Sequence, residues 1–367
     1  MTQTLKVLVV DDSAVYRRLL QNIIGEIQHA EVVGTAPSGS VALQKIAQLR
    51  PHIVLQDIEM PEMSGIEVLE AVKEKFPEVA VVLVSGVNSR SADIVVEGLS
   101  KGAADFIPKP DSGTLRENTE HLKRELRNVL LAVRTAMYSR QVRQATLPKA
   151  SPAASLPRPT PRLPVQITQK VEIVAVGVST GGPKALDEII PALPADFSVP
   201  IVIVQHMPPV FTSSLARALN DKSEVQVYEA ADGQTIKAGC VYIAPGGIHL
   251  KLRRGQTNGV PELLARLEDS PPVNSCKPAV DILFQSVAEV TGGRTLAVVM
   301  TGMGQDGLNG VNLIKKEGGY CITQSEETCV VYGMPLAVDA ANLSDESVPL
   351  WKLANRIKEI SGHKSHF

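Results

Sequence analysis

The sequence predicts two α/β domains, each built on a doubly wound parallel sheet, joined by a proline-rich linker. Strand-sized apolar runs alternate with helix-period segments over residues 5–110, and the alternation resumes from residue 170. Between Leu147 and Pro164 there are six prolines, a composition that favours extended polyproline II over helix or central strand. A chain of 367 residues is also long enough for about two domains with their own cores.

Five βα units account for the first domain. The strands are LKVLVV, EVVGTA, HIVLQ, VAVVLVS and ADFIP, all rich in β-branched residues. Helix-period segments follow the first four strands, beginning near Ala14, Ser38, Ser64 and Ser89. A longer helical pattern, over residues 114–143, follows the fifth strand and leads into the linker.

The second domain repeats this rhythm with an interruption. Its strands are VEIVAVGV, VPIVIVQ, RTLAVVMT and GGYCITQ. Helices are expected from Pro183, Val210, Pro278 and Gln305. Between them, residues 225–275 contain short strands and turns, which we interpret as an irregular insertion.

Composition excludes several classes of protein. Hydrophobic residues make up 44% and charged residues 21%, with a mean hydropathy of +0.06, as in ordinary globular proteins. The apolar runs fall short of the roughly 20 residues of a membrane span, and two aspartates interrupt the N-terminus before a signal-peptide core forms. We therefore expect a cytoplasmic protein with no membrane insertion. The four cysteines form no C-x-x-C pair, which predicts reduced structural thiols rather than disulfides or zinc ligands.

The net charge of −2 conceals a basic segment. Residues 114–170 carry eleven Lys/Arg against three Glu. A basic stretch can bind nucleic acid, but this one holds a single aromatic residue, Tyr138, and contains no DNA-binding motif. We expect no nucleic-acid partner.

Charged and polar residues collect at the strand ends of the first domain. In an open parallel sheet, functional groups lie at the carboxyl ends of the strands. Those ends carry Asp11, Asp12, Asp57 and Ser85, and Lys109 follows the last strand. Three clustered carboxylates need a cation, and oxygen ligands suit Mg²⁺. Because Lys109 and Ser85 can contact phosphoryl oxygens, the pattern predicts a metal-dependent phosphoryl site. An Asp pair after a strand can also be merely a turn or helix cap.

The segments LVVDDSAVYRRLL, LQDIEMPEMSGIEVL, VLVSG and GAADFIPKP resemble a bacterial two-component receiver domain over residues 5 to about 125. The resemblance implies a flavodoxin-like fold in which Asp57 accepts a phosphoryl group from a histidine kinase. It implies a Mg²⁺ site formed by Asp11, Asp12, Asp57 and the backbone carbonyl of Glu59. It also implies that the switch residues are Ser85, Phe106 and Lys109.

Three strand ends of the second domain carry a serine, a histidine and an aspartate. Residues 177–181 fit G-x-S-x-G around Ser179, and His206 ends a strand one crossover later. Asp306 lies in the glycine-rich turn after a third strand. These residue types suit acyl transfer, with His206 as base and Asp306 orienting it. The N–H groups near Thr180, Met303 and Gly304 are candidate oxyanion donors.

Other interpretations of these turns are open. The serine turn can be a phosphate cradle or an N-cap. The order Ser, His, Asp differs from that of α/β-hydrolases. Residues 302–307 also fit G-x-G-x-x-G, with Glu326 twenty residues beyond Asp306, but Asp306 would place a negative charge against a pyrophosphate.

The segments GVSTGGPKAL, VIVQHMPPVFTSSLARAL, VYIAPGGIHL, NSCKPAVDILFQSVAE and VVMTGMGQDG resemble the catalytic domain of the chemotaxis protein-glutamate methylesterases. The resemblance implies a Rossmann-like methylesterase domain with Ser179, His206 and Asp306 as catalytic residues and oxyanion donors at Thr180 and Met303. It implies hydrolysis of glutamate methyl esters on methyl-accepting chemoreceptors, deamidation of receptor glutamines, a chemotaxis histidine kinase as partner, and no cofactor for the esterase beyond the Mg²⁺ of the receiver.

The resulting division is a receiver over residues 1–125, a helix and linker over 126–169, and a serine-esterase domain over 170–360. We expect the unphosphorylated receiver to cover the rim at Ser179, and phosphorylation of Asp57 to repack the face at Ser85 and Phe106. Two alternatives are the same chemistry in another signalling pathway, and a non-catalytic response-regulator adaptor or transcriptional regulator.

Overall fold

The computed structural model describes residues 4–110, 113–146, 170–257 and 260–362, except for the side chains of residues 138–146 and 257. The predicted proline-rich linker lies outside the described residues. Two separate parallel sheets form; in spatial order, their strands begin at residues 30, 5, 53, 80 and 105 in the first sheet, and at residues 346, 320, 295, 173, 201, 240 and 226 in the second.

The first domain is a five-stranded parallel sheet with helices on both faces. Its strands are β1 (Leu5–Val10), β2 (Ala30–Ala36), β3 (Ile53–Asp57), β4 (Ala80–Ser85) and β5 (Asp105–Pro108). Its helices are α1 (Ala14–Gly25), α2 (Gly39–Leu49), α3 (Gly65–Lys75), α4 (Ser89–Ser100) and α5 (Leu115–Thr146). Each predicted strand and helix of this domain is present, with helix starts within one residue of those expected.

Local capping explains these helix starts. Ser64 and Glu67 form a reciprocal capping box at the start of α3. The side chains of Ser13 and Asn88 accept backbone N–H groups at the starts of α1 and α4. Short polar side chains before apolar periodicity thus set the helix boundaries that the sequence predicts.

The long helix α5 packs on the receiver sheet. Its apolar side chains share one core with strands β1, β3, β4 and β5; the buried residues of the helix in this core are Leu122, Leu126, Val129, Leu130 and Val133. The part of residues 126–169 that contributes these buried side chains therefore belongs structurally with the receiver.

The second domain is a seven-stranded parallel sheet. Its strands include β6 (Ile173–Val178), β7 (Ile201–Gln205), β8 (Gln226–Glu229), β9 (Cys240–Ile243), β12 (Thr295–Val299), β13 (Tyr320–Gln324) and β14 (Glu346–Val348). Its helices are α6 (Gly182–Ile189), α7 (Phe211–Asn220), α8 (Val280–Thr291), α9 (Leu308–Lys316), α10 (Met334–Ala340) and α11 (Leu350–Ile360).

The interpretation of residues 225–275 as an irregular insertion is wrong. Strands β8 and β9 complete one edge of the main sheet, and β10 (His249–Thr257) pairs with β11 (Val260–Glu268) in an antiparallel hairpin. This hairpin packs on α8, where the Leu252 N–H donates to Ser286 Oγ at 3.0 Å. Strands β8 and β9 have only four residues each, too few to show the alternation that marks a strand in sequence, which explains the difference.

The two domains contact each other through α4 of the receiver, which packs against α6 and α7 of the second domain. The second domain's sheet order places β12, β6 and β7 side by side at its centre. The carboxyl ends of these three strands therefore form one rim, and the receiver lies beside it.

Candidate functional site

Neighbouring strands bring the predicted serine and histidine to the same rim. Strands β6 and β7 pair in register with Val178 opposite Gln205, so Ser179 and His206 follow at equivalent positions. The His206 N–H donates to the Val178 carbonyl at 3.1 Å, and the Ser179 N–H donates to the Thr301 carbonyl at 3.0 Å. Backbone hydrogen bonds to both neighbouring strands therefore fix the ends of β6 and β7.

Asp306 is anchored directly against the histidine. Its Oδ2 lies 2.8 Å from His206 Nε2. The same carboxylate accepts the N–H groups of Val280 at 2.7 Å and Asp281 at 3.1 Å in the first turn of α8, and Asn274 Nδ2 at 2.8 Å. Burial alone would raise the pKa of Asp306, but the His206 and backbone donors hold that pKa below its ordinary value. Asp306 is thus a fixed anion that orients the imidazole.

The two ring nitrogens of His206 have different partners. Nε2 faces Asp306, whereas Nδ1 lies 3.5 Å from Cys276 Sγ. Burial opposes the charged imidazolium, but the hydrogen bonds with Asp306 and Cys276 outweigh it and raise the pKa of His206 to about 9. Within the described residues the Ser179 hydroxyl forms no hydrogen bond with His206, so the nitrogen available to it is the one that now contacts Cys276.

Glycines allow the strands to approach closely behind Ser179. A Cβ on Gly302 would lie 2.8 Å from the Ser179 Cβ and 2.4 Å from the Met334 sulfur, so a side chain there would displace the serine. Gly181 follows the serine turn with φ +79, a left-handed conformation that favours glycine.

Two backbone N–H groups beside Ser179 are available to an anion. Thr180 and Met303 are the predicted oxyanion donors, and within the described residues their N–H groups donate to no carbonyl oxygen. The Thr180 carbonyl is itself held by Thr301 Oγ1 at 2.9 Å, which fixes the orientation of this turn.

Residues outside the sequence prediction complete the site. Asn274 bridges Asp306 and Asp281, and Asp281 Oδ1 accepts the N–H groups of Gly307 and Gly310 at 3.1 and 2.8 Å. Cys276 was predicted only as a reduced structural thiol. Asn274, Cys276 and Asp281 all lie within the segment NSCKPAVD, which is the sequence signal that could have indicated them.

The receiver gathers its predicted charged residues. Asp11, Asp12 and Asp57 present carboxylate oxygens within 4.8 Å of one another. Lys109 Nζ bridges two of these residues, at 2.9 Å from Asp11 Oδ2 and 2.8 Å from Asp57 Oδ2. An oxygen-only set of three carboxylates fits Mg²⁺. The match to Mg²⁺ therefore depends on the chemical type of these ligand atoms.

Burial also changes the pKa of Asp57. Desolvation raises its pKa to about 6, although the Lys109 ammonium favours the carboxylate. The Glu59 N–H lies 3.5 Å from Asp57 Oδ1. Ser85 is buried, and its hydroxyl donates to the Gly86 carbonyl at 3.1 Å rather than to Asp57.

The receiver touches the residue next to the candidate nucleophile. Thr180 Oγ1 donates to Asp105 Oδ2 at 2.9 Å, across the domain boundary. The rings of Phe106 and Phe211 lie 4.5 Å apart between centroids, and Arg217 Nη2 contacts Asp93 Oδ1 at 2.6 Å. The predicted switch residue Phe106 is therefore part of the interdomain contact.

Comparisons with known proteins identify the family of each domain. A family model described as CheB methylesterase matches residues 174–357, and a response regulator receiver domain model matches residues 7–120. A protein-glutamate methylesterase/protein-glutamine glutaminase of Desulfotalea psychrophila is 43% identical over 97% of this chain and 98% of its own length. The protein of the same name from Thermotoga maritima is 40% identical over 98% of this chain and 99% of its own length.

A solved structure matches the second domain. The Thermotoga maritima CheB methylesterase catalytic domain has a TM-score of 0.50 and 45% identity, and covers 52% of this chain and all of its own. The predicted α/β fold class and the predicted family resemblance are confirmed. In the described part of the chain, no helix has both the length and the apolar character that a membrane crossing requires.

Proposed function

Because this chain belongs to the CheB methylesterase family and carries a response regulator receiver domain, we propose that it hydrolyses glutamate methyl esters on chemoreceptors under the control of phosphorylation. The relatives' names also include protein-glutamine glutaminase, and deamidation uses the same acyl chemistry. The observation that carries the proposal is the His206–Asp306 hydrogen bond of 2.8 Å on the rim where Ser179 ends the neighbouring strand.

In the proposed reaction, Ser179 Oγ attacks the ester carbonyl while His206 takes its proton at Nδ1, because Nε2 is held by Asp306. The tetrahedral intermediate collapses to a γ-glutamyl ester of Ser179, and His206 returns the proton to the departing methoxide, which leaves as methanol. Water then attacks the acyl-enzyme, again with His206 as base. The products are the receptor glutamate and free Ser179.

Two parts of the site stabilise charge in this reaction. The N–H groups of Thr180 and Met303 receive the oxyanion, and each such donor contributes about 3 kcal/mol in comparable enzymes. Asp306 stabilises the imidazolium that forms when His206 takes the proton. A glutamine amide passes through the same tetrahedral centre, with ammonia as the leaving group.

The receiver supplies the control. Asp57 is the proposed phosphoacceptor, and a chemotaxis histidine kinase is the proposed phosphodonor. Asp11, Asp12, Asp57 and the Glu59 carbonyl would hold Mg²⁺, which neutralises phosphoryl oxygens when it is bound. Lys109, already at 2.8 Å from Asp57, would pair with the phosphoryl group. The contact of Asp105 with Thr180 supports a receiver that limits access to Ser179 until phosphorylation moves it.

The test is methanol release from methylated chemoreceptor by the full chain, with and without a small-molecule phosphodonor and Mg²⁺. The parent should release methanol faster with phosphodonor, and Ser179→Ala should release almost none while still incorporating phosphate. Ser198→Ala, an exposed serine of the same domain, is the matched control. Undiminished turnover by Ser179→Ala would refute the serine mechanism, and parent protein without turnover under both conditions would favour the non-catalytic adaptor.

A further inference from the structure

The Cys276 thiol contacts Nδ1 of His206, the nitrogen that accepts the Ser179 proton in the proposed reaction. Cys276 Sγ lies 3.5 Å from His206 Nδ1, in the connection between β11 and α8. Cys276 is half-buried, and its backbone is held by reciprocal hydrogen bonds with Val273 of 2.9 and 3.1 Å. The thiol is therefore positioned by its loop and remains accessible from the rim.

The separation of the two atoms suits a shared metal ion. Zinc bonds to sulfur at about 2.3 Å and to imidazole nitrogen at about 2.0–2.1 Å in tetrahedral sites. Two ligands at those lengths and a tetrahedral angle lie about 3.5 Å apart. Cys276 Sγ and His206 Nδ1 are 3.5 Å apart, which matches the separation of two ligand atoms of one metal ion.

Asp306 prepares the imidazole for this role. A metal-bound histidine usually donates its other ring N–H to a carboxylate, which fixes the tautomer and the ring orientation. His206 Nε2 lies 2.8 Å from Asp306 Oδ2, so in the neutral imidazole the lone pair of Nδ1 lies on the side of Cys276. Ligand atoms of Cys276, His206 and Asp306 all lie within 4.8 Å of one another.

The donor set distinguishes this position from the receiver's acidic cluster. Thiolate and imidazole select zinc-class cations, whereas the carboxylates of Asp11, Asp12 and Asp57 suit Mg²⁺. The two positions would therefore favour different metals, and millimolar Mg²⁺ added for phosphorylation would not compete for the Cys276 thiolate.

We propose that Cys276 and His206 chelate a zinc-class divalent cation that inhibits the esterase. The Cys276 thiol and Nδ1 of the His206 imidazolium each release a proton to solvent, and the sulfur and the nitrogen then each form a bond to the ion, with no change of oxidation state. Water completes the coordination. Since Nδ1 must accept the Ser179 proton, bound metal and ester hydrolysis exclude each other. The inhibitory half of this proposal rests on the proposed function, whereas the binding half does not.

Binding is tested first, with Co²⁺ as the probe and the unphosphorylated full chain. The parent and Cys240→Ser, a second half-buried thiol away from the rim, should each show a thiolate-to-cobalt charge-transfer absorption at one equivalent that Zn²⁺ displaces. Cys276→Ser should lose this absorption, and Asp306→Asn should weaken Zn²⁺ binding by about 10–100-fold. A parent without the absorption, or Cys276→Ser that keeps it, would overturn the proposal.

Inhibition is tested next by methanol release, with each variant compared with its own metal-free rate. Zn²⁺ should inhibit the parent and Cys240→Ser, a chelator should restore them, and Cys276→Ser should need more than about tenfold higher Zn²⁺. Equal zinc sensitivity of all three proteins would refute inhibition through this pair. A parent that binds Co²⁺ through Cys276 but never releases methanol would refute the proposed function and leave the metal site standing.

Discussion

Replacing Thr180 by valine tests whether the receiver holds the esterase closed. Valine keeps the β-branched shape and the backbone N–H but removes the hydroxyl that donates to Asp105 at 2.9 Å. The closed arrangement then leaves the Asp105 carboxylate with one donor fewer, whereas an open arrangement exposes the same carboxylate to water. We expect Thr180→Val to raise the rate of the unphosphorylated protein.

The expected size follows from the burial of this pair. A hydrogen bond to a charged group contributes about 1.5–3 kcal/mol. Thr180 and Asp105 are both only partly buried, so the lower value applies. About 1.5 kcal/mol changes the ratio of closed to open molecules by about tenfold. The unphosphorylated rate should rise by up to that factor, and the rate at saturating phosphodonor should stay the same.

Asp105→Asn should act in the opposite direction. Burial raises the pKa of Asp105 to about 6, while the Phe106 N–H and Thr180 hydrogen bonds oppose the rise. A carboxyl whose pKa is raised in the closed form binds its proton more tightly there, so closure is favoured as pH falls below about 6 and disfavoured above it. A rise from 3.8 to about 6 corresponds to at most about 3 kcal/mol at pH 7. Asparagine keeps an acceptor without the charge and should lower the unphosphorylated rate.

The assay is methanol release by the full chain at pH 7 and pH 5.5, with and without phosphodonor. Thr180→Ser, which keeps the hydroxyl, is the matched control and should behave as the parent. The reasoning is refuted if Thr180→Val and Asp105→Asn change the unphosphorylated rate in the same direction. It is also refuted if the ratio of the parent's rate to that of Asp105→Asn does not fall as pH decreases.

Three further results are expected. His206 must be neutral to accept the serine proton, and its pKa is raised to about 9. The rate of the phosphodonor-activated protein should therefore rise with pH up to about 9. A rise that is complete by pH 7.5 would contradict His206 as the base. Arg217→Ala removes an ion pair with Asp93 in which both side chains are more than half exposed. The unphosphorylated rate should therefore rise less than about fivefold, and the effect should vanish in high salt. A much larger, salt-independent rise would show that this ion pair dominates closure. Phe284→Ala removes a fully buried ring that packs against Gly310 on α9 and should lower the free energy of unfolding by about 3–5 kcal/mol in denaturant titrations; a loss below 1 kcal/mol would mean that the core closes over the gap.

The sequence predicted the parts of the site that lie at strand ends. Apolar runs and capping residues located β6, β7 and β12, and a parallel sheet must bring their carboxyl ends together. This is why residue type and position predict that Ser179, His206 and Asp306 lie at one rim. The short strands β8 and β9 were not assigned to the main sheet, because four residues each are too few to show the alternation of a strand.

Contacts between elements that are distant in sequence were not predictable in this way. The partners Thr180 and Asp105 are 75 residues apart and belong to different domains. Cys276 reaches His206 only because its loop folds back over the rim, and nothing in the spacing of the cysteines indicates this. Periodicity determines elements and their ends, whereas these contacts depend on how complete domains pack.

Strand β5 lies between the phosphoacceptor site and the contact with the esterase domain. Lys109, just after the strand, lies 2.8 Å from Asp57, and its N–H donates to the Ser85 carbonyl at 2.6 Å. At the other end, Asp105 holds Thr180 and Phe106 packs against the second domain. A phosphoryl group on Asp57 would change this contact with Lys109, and the four-residue strand before Lys109 begins at the residue that contacts the neighbour of Ser179. Coupling through β5 requires that loss of the Thr180–Asp105 hydrogen bond releases the esterase without phosphorylation, which is the outcome that Thr180→Val tests.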